Sequence, residues 1–323
     1  MAITFLAGII RSWEVRIMNK KEKEKILSVQ GLTKEFSSGI INKEITTAVE
    51  NVSFDMYPGT VLSLIGESGS GKTTIGKLIL KLINPTDGKI FYKGKDITNI
   101  KGKKEKKEYY RNVQAIFQDP FASFNPLYRV DRVFDMIFDS FLDDNNKEER
   151  IKSALQDVNL NPERILGKFP HQLSGGQLQR LLIARALLLD VDILIADELI
   201  SMLDASTRIG VLNLLVETCK KHGMSVLFIT HDLNLGYYIS DYTLIMYKGR
   251  LVERGVTKKV YENPVNPYTQ MLFECVPDIG ERWDKDEEFL PEQISEEVND
   301  FYKNNEGRGF EEVEEGHSVL FSV

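Results

Sequence analysis

The stretch VLSLIGESGSGKTTIGKLIL, residues 61–80, constrains this chain more than any other. Val61, Leu62, Leu64 and Ile65 are apolar in nearly unbroken succession, as in a buried strand. Gly66, Glu67, Ser68, Gly69, Ser70, Gly71, Lys72, Thr73 and Thr74 follow, and then Ile75, Leu78, Ile79 and Leu82 recur at helical spacing. Strand, glycine loop and helix are the context that the phosphate-loop pattern G-x-x-x-x-G-K-[ST] requires. The three glycines let the backbone turn tightly with its N–H groups aimed at an anion. The helix adds the positive end of its dipole. Lys72 supplies a point charge for β- and γ-phosphates, and Thr73 a hydroxyl for Mg²⁺. A glycine-rich turn with a chance lysine would need neither flanking element.

Apolar alternation over 26–36 and 45–54 predicts antiparallel strands ahead of this stretch. Pro58-Gly59 and residues 85–88 predict turns, and 89–92 a further strand. The Lys/Glu run at 101–107 is expected to be a solvated surface loop. Residues 113–117 predict a short buried strand. From 126 to 189 the apolar spacing turns helical, with Val133, Phe134, Ile137 and Phe138, then Ile151, Leu155 and Val158, then 178–189. Strands are expected at 192–197, 225–230, 242–247 and 250–253, and an amphipathic helix at 207–221. Buried strands alternating with helices predict an α/β fold with parallel strands, interrupted by one helical block. From 256 the chain changes character. Asn-Pro pairs punctuate it and acidic residues dominate 281–315, yet Val298, Phe301, Tyr302, Val319 and Phe321 are apolar enough to predict a small extension packed on the core.

Three classes of function are disfavoured by composition. A formal charge of −7 opposes a broad nucleic-acid-binding face. Cys219 and Cys275 lie far apart in no C-x-x-C pattern, which predicts reduced thiols in a cytosolic setting. No apolar run reaches the length of a membrane span, so work at a membrane would go through a partner. Residues 1–10 are largely apolar, but no positive region precedes them and no cleavage site follows, so a signal peptide is not expected. A start at Met18, which would leave 1–17 outside the native protein, and an N-terminal amphipathic anchor both stay open.

Other residues narrow the chemistry. The apolar run 193–196 ends in Asp197 and Glu198. Asp197 is placed to hold Mg²⁺ through its water shell, and Glu198 to take a proton from an attacking water. Gln118, on a loop after the 113–117 strand, can reach both the ion and that water. His231, after 225–230, can bond a γ-phosphate and hold the water. Leu173, Ser174, Gly175, Gly176 and Gln177 precede a helix and offer a second anion site. One nucleotide needs no second phosphate site in the same chain. Two chains in head-to-tail register do need one, each phosphate loop facing the partner's LSGGQ with two ATP molecules between them.

In this order the motifs resemble those of the ABC-type ATPases: Walker A from Gly66 to Thr73, LSGGQ at 173–177, Walker B ending at Asp197-Glu198, and His231 after a strand. The resemblance covers about 26–255 and implies a P-loop NTPase (RecA-like) core, an N-terminal antiparallel β subdomain and an inserted helical subdomain at about 126–189. It implies that Phe36 stacks on adenine and that Ser201 and Asp204 belong to a D-loop touching the partner's site. FQDPFASFNP at 117–126, ENPVNPYTQMLFECVP at 262–277 and the ending 313–323, with Glu315, Gly316 and His317, are similar to segments of the oligopeptide, dipeptide and nickel importer subfamily. That extends the resemblance over 256–323 as a C-terminal extension. Three positions depart from the family's pattern: Leu199 replaces proline, Met202 alanine, and Leu178 an arginine or lysine. Some members bind an iron–sulfur cluster with extra cysteines in this extension; Cys275 alone cannot.

The resemblance implies a peripheral ATP-hydrolysing subunit at the cytoplasmic face of the membrane. ATP and Mg²⁺ are its implied cofactors. Its implied partners are a second ATPase chain, identical or different, two membrane-spanning permeases and, indirectly, an external solute-binding protein. Peptide is the expected cargo, with nickel or another small solute as the alternative. A soluble ABC ATPase acting on nucleic acid or ribosomes is opposed by the single ATPase unit, the lack of a long coiled coil and the acidic charge. A module that holds ATP without hydrolysing it is opposed by Glu198 and His231.

Overall fold

The computed structural model describes residues 24–38, 44–143, 145–274, 291–306 and 308–322. Expectations for residues 1–17, the start at Met18 and Cys275 lie outside the described residues. Two long strands, β1 (Leu27–Ser38) and β2 (Glu44–Met56), pair antiparallel from Leu27 opposite Met56 to Ser38 opposite Glu44. β4 (Asp87–Tyr92) pairs with the other edge of β1, and the short β5 (Lys95–Asp96) with β4, so one antiparallel sheet runs β2-β1-β4-β5. The turn expected at 85–88 ends inside this strand, because Asp87 pairs with Thr33 of β1.

A second sheet forms around β3 (Val61–Ile65). β3 lies between β8 (Ser225–Thr230) and β9 (Tyr242–Tyr247), parallel to both. β7 (Ile193–Asp197) and β6 (Val113–Ile116) continue the parallel set beyond β8. On the other side, β10 (Arg250–Val256), β12 (His317–Leu320) and β11 (Phe310–Glu314) are antiparallel, giving the order β11-β12-β10-β9-β3-β8-β7-β6.

Both faces of the parallel strands are covered, which is why they read as continuous apolar runs. Leu194, Ala196, Val226 and Phe228 face one cluster, whereas Ile193, Ile195, Leu227 and Ile229 face the other. In the second cluster, α1 (Lys72–Ile79) is packed between the two sheets through Ile75, Leu78 and Ile79, against Val29, Leu32 and Phe54. Each of the fully buried Ile75, Leu78 and Ile79 side chains stabilises the packing by on the order of 2 kcal/mol. The first cluster belongs to the helices α3 (Arg132–Phe141), α4 (Lys147–Asp157), α5 (Pro162–Ile165), α6 (Gly175–Leu188) and α7 (Ala205–His222).

The Lys/Glu run differs from expectation. It is largely helical, as α2 (Lys103–Asn112), although residues 101–108 are all exposed. Tyr109 is its one buried residue; its hydroxyl donates to Ile79 O at 2.8 Å and its ring meets Tyr92 edge-on. A single anchored aromatic holds a helix whose charged turns stay in water. At the other end, α8 (Leu233–Ile239), α9 (Thr257–Glu262), α10 (Pro267–Glu274) and α11 (Pro291–Asn304) complete the chain. Val260, Tyr268, Met271 and Val298 bury against Ile65, Ile245 and Val252. β10 crosses the border expected at 255, and β12 pairs with it, so the extension continues the main sheet as well as packing on it.

Candidate active site

Parallel strands put their C-terminal ends on one edge of the sheet, and the loops after β3, β6, β7 and β8 converge there. These loops carry Gly66 to Thr73, Gln118, Asp197-Glu198 and His231 respectively. Gly71 occupies the N-cap of α1 at φ 103°, and a Cβ there would lie 2.3 Å from Ala48 O of β2. Backbone conformation and clearance therefore both demand glycine. Ser68 and Gly69 are exposed at the tip of the loop, Ser70 is buried, and Thr74 is half-buried in the first turn of α1.

Lys72 is buried, and its ammonium donates to Gly66 O at 2.7 Å, Glu67 O at 2.6 Å and Ser70 Oγ at 3.3 Å. Three donors meet three acceptors. Burial lowers its pKa, and the charges of Glu198, Asp197 and Glu67 oppose that shift. Thr73 Oγ1 donates to Asp197 Oδ1 at 3.3 Å. Burial pushes the buried Asp197 carboxyl up, helped by the charge of Glu198 and opposed by Thr73 and Lys72. A site like this has hard oxygen donors and few protein ligands, which fits Mg²⁺ held largely by water and phosphate. Among the described residues no cluster of three or more His, Cys, Asp or Glu could cage a metal alone.

Glu198 follows in the left-handed region, at φ 49°, with its N–H donating to Ile229 O at 2.9 Å. A residue that is not glycine is strained there by roughly 1 kcal/mol or more. Its Oε1 lies 2.9 Å from His231 Nδ1. A carboxylate only accepts, so that contact places the proton on Nδ1. Gln118, Ser201, Arg208 and Thr230 join Glu198 and His231 around a cavity of about 160 Å³.

Residues 173–177 line no part of that cavity. Ser174 caps α6 instead. Gln177 N–H donates to Ser174 Oγ at 3.3 Å and Ser174 N–H to Gln177 Oε1 at 2.9 Å, a reciprocal capping box. Leu173 is buried, and a Cβ on Gly175 would lie 3.1 Å from Leu203 Cδ2. Ser201 and Asp204 occupy the segment beside this motif. Ser201 Oγ donates to Glu198 O at 3.1 Å, and Asp204 Oδ1 accepts from Thr207 N–H at 3.0 Å and Ser206 Oγ at 2.6 Å. Those bonds hold the Asp204 carboxyl well below the usual carboxylate range. Phe36 stands near the end of β1 opposite Thr46, 43% exposed, with Lys34 Nζ 5.1 Å from its ring. β2 carries both Thr46 and Ala48, whose carbonyl closes on Gly71.

The three departures have different settings. Leu178 and Leu199 are fully buried and act as packing residues, while Met202 is exposed. Two residues at the site were not singled out in the sequence. Arg208 Nε donates to Leu203 O at 2.7 Å and Nη2 to Ser201 O at 3.1 Å, tying down the 201–204 segment. Tyr268 Oη accepts the Glu67 N–H at 3.2 Å. The PYT segment containing it was visible only as a resemblance, and its reach to the phosphate loop was not.

The family model described as ABC transporter matches residues 49–201, and that described as oligopeptide/dipeptide transporter, C-terminal region, matches 252–312. The oligopeptide transport ATP-binding protein OppF of Bacillus subtilis (strain 168) is 38% identical over 300 residues, covering 92% of this chain and 96% of its own. OppF of Streptococcus pyogenes serotype M1 is 43% identical over 257 residues, 79% of this chain and 82% of its own. Among solved structures, cbiO1 from Clostridium perfringens, described as part of the ABC transporter complex cbiONQ, superposes with TM-score 0.66 at 26% identity, covering 74% of this chain and 92% of its own. The ATP-binding cassette MJ0796, as a post-hydrolysis dimer bound to ADP and Pi, gives TM-score 0.63 at 26% identity over 72% of this chain and 98% of its own.

Proposed function

The chain belongs to the oligopeptide transport ATP-binding proteins of the ABC transporter family, and on that premise we propose that it energises a peptide importer by binding and hydrolysing ATP. One observation carries the reading furthest. The phosphate loop, Asp197, the Glu198–His231 pair and Gln118 share one sheet edge, while Ser174 to Gln177 stand apart as a capped helix N-terminus. That division suits half a site, completed by the LSGGQ of a second chain. The dimeric cassette bound to ADP and Pi supports the same reading.

In this reading Gly66 to Thr74 hold the phosphates, Lys72 addresses the β- and γ-phosphates, and Phe36 stacks on adenine. Thr73, Asp197 and Gln118 would hold Mg²⁺, which when bound neutralises charge on the transferred phosphoryl group. Glu198 takes the proton of the attacking water, and His231 orients Glu198 and holds that water. Ser174 and the amides of Gly175 and Gly176 serve the partner's γ-phosphate, and Ser201 and Asp204 meet the partner across the interface. Catalysis is then mainly positioning and charge stabilisation. ATP draws two ATPase chains together, and hydrolysis lets them part. The helical block at about 126–170 offers the groove for a permease helix. Two permeases and an external solute-binding protein complete the assembly, with this chain peripheral at the cytoplasmic face. Among the described residues, no helix is long and apolar enough to cross a membrane.

Glu198→Gln tests the central role. In the assembled transporter it is expected to lower ATP turnover by about 10²-fold or more while retaining ATP binding. Turnover equal to wild type would overturn the assignment of the base. Failure of the chain to co-purify with its permeases would overturn the transport reading.

A further inference from the structure

We propose that Tyr268 is a positioning residue of the phosphate loop: its hydroxyl fixes Glu67, and through Glu67 the Lys72 ammonium, so that the C-terminal extension sets nucleotide affinity. The proposal rests on the reading of Gly66 to Thr74 as the ATP site. Tyr268 lies in α10 and is fully buried, yet its hydroxyl accepts the Glu67 N–H at 3.2 Å across 201 positions of sequence. Glu67 O is engaged in turn, accepting from Lys72 Nζ at 2.6 Å and from Ser70 N–H at 3.2 Å. One residue of the loop is thus held by the extension on its N–H side and by the lysine on its carbonyl side.

The tyrosine is itself held from several directions. Its ring packs on Tyr247 of β9 at 4.3 Å between centroids. Its N–H donates to Asn266 Oδ1 at 3.1 Å. The Glu253 carboxylate of β10 accepts the Val265 and Asn266 N–H groups at 2.9 and 3.1 Å. His317 of β12 meets the same carboxylate at 2.7 Å. Glu253, Asn266, Tyr268 and His317 are all fully buried. Burial also raises the phenol pKa, which keeps the hydroxyl neutral. A chain of contacts therefore joins the terminal hairpin β11–β12 to the first residues of the phosphate loop.

The loop needs such support. Glu67, Ser68 and Gly69 are exposed, so packing does little to order them. Besides Tyr268, the loop is tethered where Gly249 N–H donates to Ser70 O at 3.1 Å. A loop ordered beforehand loses less entropy when it closes on phosphates. The phosphates occupy the loop in ground and transition states alike, so losing the tether weakens affinity and leaves turnover of bound ATP unchanged.

The test uses the full chain with a fluorescent ATP analogue, alongside deuterium exchange at the Glu67 amide without nucleotide. Tyr268→Phe removes only the hydroxyl. It is expected to weaken the analogue's affinity about fivefold, the scale of one neutral hydrogen bond, and to speed Glu67 exchange by a similar or larger factor. Met271→Ala thins the same apolar cluster without touching the hydroxyl, and is expected to leave affinity within about twofold of wild type and the Glu67 amide protected. Wild-type affinity or unchanged exchange in Tyr268→Phe would overturn the proposal. So would equal weakening by Met271→Ala, since general loosening would then be the cause. Lys72→Ala separates the underlying reading: it should abolish analogue binding. If it binds like wild type, the ATP-site assignment fails and takes the affinity claim with it. If it loses binding while Tyr268→Phe does not, only the proposal fails.

Discussion

Gly176 is required by a neighbour. A Cβ at that position would lie 2.5 Å from Thr207 Cγ2 on α7, closer than two carbons can approach. Gly176→Ala is therefore expected to destabilise the chain by about 1–3 kcal/mol through overpacking. Thr207→Ser removes the obstructing methyl and keeps the N–H that Asp204 caps, so the double variant should recover most of the loss. Urea unfolding midpoints of the two single variants and the double variant check this. A double variant no more stable than Gly176→Ala would overturn the contact. The LSGGQ pattern marked the glycine as functional, but this second reason was not legible, because Thr207 is thirty-one positions away and meets it only when α6 and α7 pack. By contrast Lys72, Asp197 and Glu198 were legible as candidates, because each sits at a set offset from a strand end. The 2.9 Å contact of Glu198 with His231 was not legible, since it needs β7 and β8 to be neighbours.

At the scale of an element, α7 begins at a cap that also closes the 201–204 segment. Asp204 accepts from Thr207 N–H and Ser206 Oγ, and Arg208 in the first turn holds the carbonyls of Ser201 and Leu203. Asp204→Ala is expected to lower the urea midpoint, since a capped N–H loses its partner. The pH dependence has a definite sign. The folded Asp204 pKa lies below its ordinary value of 3.8, so its contribution is present above that value and is lost as pH falls through the depressed one. The gap between wild type and Asp204→Ala should thus hold from neutral pH down to about pH 4 and close in stronger acid; a gap that widens on acidification would refute it. Helix α2 was not legible as a helix in the sequence. Its Lys/Glu composition offers no apolar stripe, and the helix is anchored by Tyr109 to the carbonyl of Ile79 in α1. That anchor lies thirty positions upstream, outside any window in which periodicity is judged.

At the scale of the whole molecule, His317 joins the last hairpin to the main sheet. Its Nε2 faces Glu253 Oε1 at 2.7 Å and its Nδ1 faces Glu314 Oε1 at 3.3 Å. Both ring nitrogens meet carboxylate oxygens, which accept only, so the arrangement suits the imidazolium. Burial alone would lower its pKa, but the hydrogen bonds and charges of Glu253 and Glu314 outweigh burial and raise it above 6.5. Its stabilisation is fully present below the ordinary value and is lost as pH rises through the raised one. Urea unfolding of wild type and His317→Gln should show a larger stability gap near pH 6 than near pH 9; a gap that is constant or grows with pH would refute the charge. The sequence by itself determined the fold class, marked the candidate residues at the strand ends and predicted a second chain, because those readings depend on residue type at short, regular spacings. Only the tertiary structure decided that the C-terminal extension joins the main sheet and holds the phosphate loop through Tyr268. Strand order and buried hydrogen bonds link residues some two hundred positions apart, and no local pattern records which distant N–H a buried hydroxyl will meet. The phosphate loop is thus held by a residue 201 positions away as well as by its own glycines.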